Sequence, residues 1–284
     1  IFSLIFFTLL FYPPFWLNPI LFFTAVNHMS NYFNDVCTHT LGSCMHPKNL
    51  PSTYIPIWLS VKLPLFIILG IILLPFTEKK IFVDKRKNIF FGTLLITSIL
   101  LPLILILKKV HLYDELRQVM FLIPLLFLIG SISLYFLSKK FFYVVGILTA
   151  CLFIIENIKI NPYQYVWFNL PSRYLDLTNK FELEYQGISG REIASKISKF
   201  ENNDLCVLAN PMHTVKPYLV NSNFNCFDIW QKIDTDYKRP FLAVQHVRNL
   251  KKGKSYKCNS IHEDGFKLLF HKNKIITGKL LKCE

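Results

Sequence analysis

Two stretches of this 284-residue chain place charged side chains against long apolar sequence. The first is Lys62, inside the apolar run Ile55–Phe76. An ionisable group within a span is costly and marks a functional position by default. About eight residues into a straight helix, it would lie roughly 10 Å below the helix start. An ammonium there can bind the phosphate of a lipid-linked substrate, or it can snorkel to the interface. The second stretch is His111-Leu112-Tyr113-Asp114-Glu115-Leu116-Arg117-Gln118, which leads into another apolar run. The planar guanidinium fork of Arg117 suits phosphate. Asp114, three residues earlier, would share its face on a helix, so a mutual surface ion pair accounts for them equally well. A third segment, Asn161-Pro162-Tyr163-Gln164-Tyr165-Val166-Trp167-Phe168-Asn169, follows the last apolar run. It is too polar and aromatic for a passive linker and points to a site at the membrane surface.

Cys37-Thr38-His39 and Cys44-Met45-His46 look like four metal ligands. Zinc sites generally space paired ligands by two or more residues, so a disulfide is the better reading and no metal site is expected. Pairing neighbours gives Cys37–Cys44, Cys206–Cys226 and Cys258–Cys283, with buried or free thiols as the alternative. Cys151 stands alone in an apolar run. There is no HExxH spacing, glycine-rich phosphate loop, GxSxG motif or nucleophile with an evident base.

The elements that must position these residues follow from hydropathy. Hydrophobic residues make up 52% of the chain, which argues against a soluble single-domain enzyme. Apolar runs at about 55–76, 89–107, 119–137 and 141–158 meet the span length of roughly 20 residues. Residues 1–12 read as a partial span, the tail of a truncated helix, so the chain is expected to be a fragment. The fold class is therefore a multi-pass α-helical membrane protein (domain 1–158) with a small C-terminal α/β extracytoplasmic domain (159–284). In that domain, Ser189–Phe200 reads as an amphipathic helix and Pro211–Leu219 as a second helix. Strands are expected at Leu205–Ala209, Phe224–Ile229, Phe241–Val247, Tyr256–Ile261, Phe266–His271 and Ile275–Lys282, with turns at Asp264-Gly265 and Lys272-Asn273.

The net charge of +14 does not indicate nucleic acid. Residues 159–284 disperse 20 basic against 12 acidic side chains, a solvated surface beside membrane lipids. Loop charges set the orientation. Lys79, Lys80, Lys85, Arg86, Lys87, Lys139 and Lys140 outnumber Lys48, Lys108, Lys109 and Arg117, which puts the first set inside. The Cys37 loop, the His111 loop and the C-terminal domain then face outside a plasma (inner) membrane, in the periplasm or beyond, where disulfides form.

Several motifs in register carry a family resemblance. They are Leu50-Pro51 with Tyr54 and Trp58, then Lys62-Leu63-Pro64; Tyr113-Asp114 with Arg117-Gln118 and Phe121-Leu122-Ile123-Pro124; Asn161-Pro162-Tyr163-Gln164-Tyr165 with Phe168-Asn169; and Phe181-Glu182-Leu183-Glu184-Tyr185-Gln186-Gly187. Together they resemble the C-terminal half of bacterial GT-C-type membrane glycosyltransferases, the family 39, protein-mannosyltransferase and aminoarabinose-transferase-like group. The resemblance implies transfer of a sugar from a polyprenyl-phosphate donor to a glycan, lipid or protein acceptor on the outer face. Lys62 and Arg117 would stabilise the departing phosphate, and Tyr54, Tyr113 and Tyr163 would line a sugar pocket. Asp114, Gln164 and Asn169 complete the implied substrate-binding set. The family's catalytic Asp, in a first outer loop, has no counterpart here, so no catalytic residue is assigned and this stretch alone is expected to be inactive. No cofactor is certain, and any divalent cation would belong to that missing part. Gln118 and Gln186 stand where the family often has His and Trp. The alternative is a non-enzymatic membrane anchor whose C-terminal domain binds a partner or an envelope component.

Overall fold

The computed structural model describes residues 6, 14–18, 20–31, 36–82, 85–200, 205–220, 224, 226–229, 240–247 and 258–283. The chain divides into two compact units, Ile1–Val36 and Cys37–Glu284. In the first, a helical turn at Pro14–Leu17 precedes helix α1 (Ile20–Asn31), whose first amide is met by the Asn18 side chain. The partial span expected at 1–12 lies outside the described residues, apart from Phe6.

The second unit begins with a hairpin, β1 (Thr38–Thr40) and β2 (Ser43–Met45). Its turn uses Leu41 and Gly42 at positive φ, 51° and 84°. The expected span 55–76 is not one helix. Helix α2 (Tyr54–Lys62) stops, and α3 (Leu65–Ile72) leaves at 119° to it. Pro64 lacks the N–H that would continue the ladder and starts the next helix instead. Lys62 is thus the last residue of a short helix, and the depth expected from a straight span does not apply.

Helices α4 (Leu74–Ile81), α5 (Lys85–Leu107), α6 (Leu122–Leu137) and α7 (Lys139–Lys159) follow. Among the described residues, Asn88–Leu107 and Lys139–Lys159 are each long and apolar enough to cross a membrane. The bent pair α2–α3 makes a third if counted as one span. The run expected at 119–137 yields only 16 helical residues, because Val119 belongs to a 3-10 turn at Arg117–Val119. Glycines set the crossing of α3 and α6: a Cβ added at Gly70 would meet the Gly130 carbonyl oxygen at 2.1 Å. This is the close backbone approach that small residues permit between apolar helices. Thr77 and Ser133 hydrogen-bond across α4 and α6 at 3.0 Å.

Beyond α7, helix α8 (Ser189–Ile197) packs on a five-stranded sheet of order β4-β3-β5-β7-β6. The strands are β3 (Cys206–Asn210), β4 (Phe227–Ile229), β5 (Phe241–His246), β6 (Cys258–Phe266) and β7 (Ile275–Cys283). β3 runs parallel to β4 and β5, while β7 is antiparallel to β5 and β6. Alternation sorts the faces. Val207, Ala209, Leu242 and Val244 meet Ile193 and Ile197 of α8, while Cys206, Leu208, Phe241 and Ala243 point the other way.

Two expectations fail here. Pro211–Leu219 forms two 3-10 turns, Met212–Thr214 and Lys216–Leu219, rather than a helix, since Pro217 removes a donor from its middle. Asp264-Gly265 is not a turn but a register irregularity inside β6, so the last three expected strands are two. A Cβ at Gly265 would meet the Ile275 carbonyl oxygen at 2.0 Å, so glycine serves a close strand approach there. Disulfides join Cys37–Cys44, Cys206–Cys226 and Cys258–Cys283, and the last pair sits in register across β6 and β7.

The composition break at Ile158 falls at the end of α7, but the packing has no seam there. One core holds Tyr54 and Trp58 of α2, Leu112 and Leu116 of the His111 loop, Tyr163, Phe168 and Phe181 beyond α7, and Phe266 and Ile275 of the sheet.

Candidate functional site

The first apolar turn of the site is α2, whose end Asn169 finishes. The Asn169 amide donates to the carbonyls of Ser60 (2.6 Å) and Leu63 (3.0 Å), and its backbone N–H reaches Val61 O (2.9 Å). These are the acceptors orphaned by the break at Pro64. Asn169, expected to bind substrate, is buried in this capping task.

With its helix ended, Lys62 turns inward. Its Nζ lies 2.7 Å from Glu115 Oε2, donates to the Tyr165 carbonyl at 3.1 Å, and sits 4.3 Å from the Phe168 ring centroid. Trp58 adds a second ring at 5.6 Å and donates its own N–H to Thr40 of the hairpin. A lysine so enclosed faces a carboxylate and two aromatic rings, and its ammonium is engaged by Glu115. The Glu115 side chain is only 5% exposed, and its Oε1 has no hydrogen-bond partner among the described residues. Burial pushes this carboxyl up to about 7, against the pull of the Lys62 ammonium.

The loop holding Glu115 is strained. Asp114 and Glu115 have φ of 54° and 64°, consecutive left-handed positions that a side chain disfavours. Contacts from three directions hold them there. The Asp114 N–H donates to Thr38 Oγ1 (3.0 Å), the Tyr54 hydroxyl to the Glu115 carbonyl (3.2 Å), and the Tyr113 N–H to the Gln118 side chain (2.8 Å). Arg117 lies 3.5 Å from the buried Asp114 carboxylate while its own side chain is 57% exposed. The structure therefore gathers Tyr54, Lys62, Tyr113, Asp114 and Arg117 around Glu115.

Tyr163 and Gln164 go elsewhere. Tyr163 stacks on Phe266 and donates to Asp264, and Gln164 is exposed and bonded to Asn161.

Two further buried polar groups escape a reading of spacing. Glu156, near the end of α7, takes a two-pronged contact from Arg173 (2.7 Å to each oxygen), with Trp167 Nε1 and the Leu269 amide completing it. Its position in an apolar run was the available signal. Glu184 accepts from the Tyr165 hydroxyl (2.6 Å) and the Ile188 amide (2.9 Å) and lies 3.5 Å from His246. His246 in turn contacts Ser189 (2.8 Å) and Thr214 (3.0 Å). Burial alone would raise Glu184, yet the contacts with His246 and Tyr165 hold it below the usual carboxylate value. Ser189 and His246 are sealed from solvent, so this Ser-His-Glu group ties α8 to β5 rather than attacking a substrate.

Compared with known proteins, the chain matches no family model, and no curated protein or solved structure is detectably similar to it.

Proposed function

We propose that this chain is part of a multi-pass membrane glycosyltransferase that moves a sugar from a polyprenyl-phosphate donor to an acceptor on the outer face of the plasma membrane. The observation that carries the reading is the Tyr113–Gln118 loop. It joins a strained backbone, a buried carboxylate oxygen with no hydrogen-bond partner among the described residues and an exposed guanidinium, just beyond the apolar helix α5. Strain of this kind persists only where surrounding structure enforces it, and it gathers at sites.

The chemistry follows from the side chains. Arg117 meets the phosphate, where its fork of donors offsets the charge that grows as the sugar departs. Glu115, buried beneath the loop, holds its backbone and so positions Arg117. Lys62 acts through Glu115, holding the carboxylate in place from beneath. The acid–base residue for the transfer is not assigned. The joint packing of the hairpin, the His111 loop and the region beyond α7 supports placing all three on one side of the bilayer, as their loop charges suggest.

The test is release of polyprenyl phosphate from a labelled polyprenyl-phosphate hexose, in membranes carrying the protein as the cell makes it. Arg117→Ala should cut turnover by around a hundredfold, about 2.7 kcal/mol in the transition state. Turnover unchanged in Arg117→Ala and Glu115→Gln alike would remove this loop from the reaction.

A further inference from the structure

The hairpin brings together a group that its sequence spacing seemed to disqualify. Zinc ligands one residue apart fit poorly when both come from a single tight turn. On a β-hairpin, however, residues i and i+2 share a face. The register Thr38↔Met45 and His39↔Cys44 continues to set Cys37 opposite His46. Cys37, Cys44 and His46 each offer one ligand atom, and these atoms all lie within 4.8 Å of one another. Cys44 Sγ is 3.7 Å from His46 Nε2. Around a tetrahedral zinc with S at 2.3 Å and N at 2.0–2.1 Å, that edge would be about 3.6 Å. Cys44 and His46 face solvent, so an ion can enter and water can fill a fourth position.

We propose that Cys37, Cys44 and His46 form a zinc site that opens when their disulfide is reduced. In the oxidised chain the two sulfurs are bonded to each other. A dithiol reductant supplies two electrons and two protons, becoming a disulfide itself and leaving two thiols. Zinc then displaces one proton from each thiol and takes the neutral His46 imidazole through Nε2. Oxidation state thus selects between a covalent staple and a metal staple closing the same loop. The inference is independent of the glycosyltransferase reading.

The experiment uses the full chain in detergent micelles, carrying Cys151→Ser, with cobalt as a coloured stand-in for zinc. Mild dithiothreitol opens the exposed Cys37–Cys44 bond, as checked by alkylation and mass mapping. The reduced chain should bind one equivalent with thiolate-to-cobalt charge-transfer absorption, bleached by added zinc, and the oxidised chain should show none. Cys44→Ser should lose the absorption, and His46→Ala should bind at least tenfold more weakly. His46 lies outside the disulfide, so that variant decides the matter if Cys44→Ser does not fold. Absent absorption with both thiols open, absorption that persists in Cys44→Ser, or unchanged affinity in His46→Ala would each overturn the proposal.

Discussion

Two buried ion pairs, Arg173–Glu156 and Lys62–Glu115, flank the same core and are built on opposite plans. In the first, both carboxylate oxygens are used, by the guanidinium, the Trp167 indole and the Leu269 amide. In the second, a single ammonium meets one oxygen, the other oxygen has no partner among the described residues, and the backbone beneath is strained. A fully satisfied pair fixes a shape, here the junction of α7 with the segments beyond it. A partly satisfied one keeps an acceptor in reserve at a cost in stability. The difference separates a clamp from a site.

The largest expected effect falls on the clamp. Arg173→Ala strips the buried Glu156 of its guanidinium partner, and should cost about 3–5 kcal/mol in denaturant unfolding in micelles. If Glu115→Gln costs as much, the two pairs are alike and the contrast collapses. We expect less for Glu115→Gln, about 1–3 kcal/mol, since the amide oxygen still accepts from Lys62. Arg117→Ala should leave stability within about 0.5 kcal/mol, because its side chain is largely in solvent. Its effect should appear in donor binding and transfer rather than in folding.

Glu184 sharpens the comparison through pH. Its carboxyl lies lower in the folded chain than the ordinary value of 4.5, so the folded state binds fewer protons than the unfolded. The stability it contributes is present above that ordinary value and is lost as pH falls through the folded one. Glu184→Gln should therefore flatten the acid limb of a stability–pH curve while leaving its slope at neutral pH unchanged. An acid limb as steep as the wild type's would count against the His246 and Tyr165 contacts.

The smallest perturbation is a label. With Cys151→Ser as background, Lys180→Cys should react with an impermeant thiol reagent in intact cells and Lys80→Cys should not. The reverse pattern would invert the orientation read from the loops.

Hydropathy located the apolar helices because a helix long and apolar enough to cross a membrane leaves a composition signal, and the pairing of neighbouring cysteines could be read from order alone. The break at Pro64 was visible as a residue, but its consequence was not. Only the fold shows that Asn169, more than a hundred positions away, caps the broken end. Glu115 was legible as an acid beside Asp114, while the enclosure of the two by Lys62, Tyr54 and Thr38 depends on contacts distant in sequence. Asp264-Gly265 has the chemistry of a turn and sits in a strand, because pairing with β7 on both sides overrides the local preference. Asn169 and Tyr163 entered the substrate-binding set through the family resemblance, and the structure uses their polar groups internally.

Binding of the donor itself tests the central claim most directly. A short-chain polyprenyl-phosphate hexose would be titrated calorimetrically into the protein held in lipid nanodiscs, alongside Arg117→Ala and Glu115→Gln. The account predicts saturable binding that weakens about tenfold or more in each variant, with unfolding midpoints measured in parallel to set aside loss of structure. Saturable binding of equal affinity in all three proteins, or no binding by any of them, would contradict it.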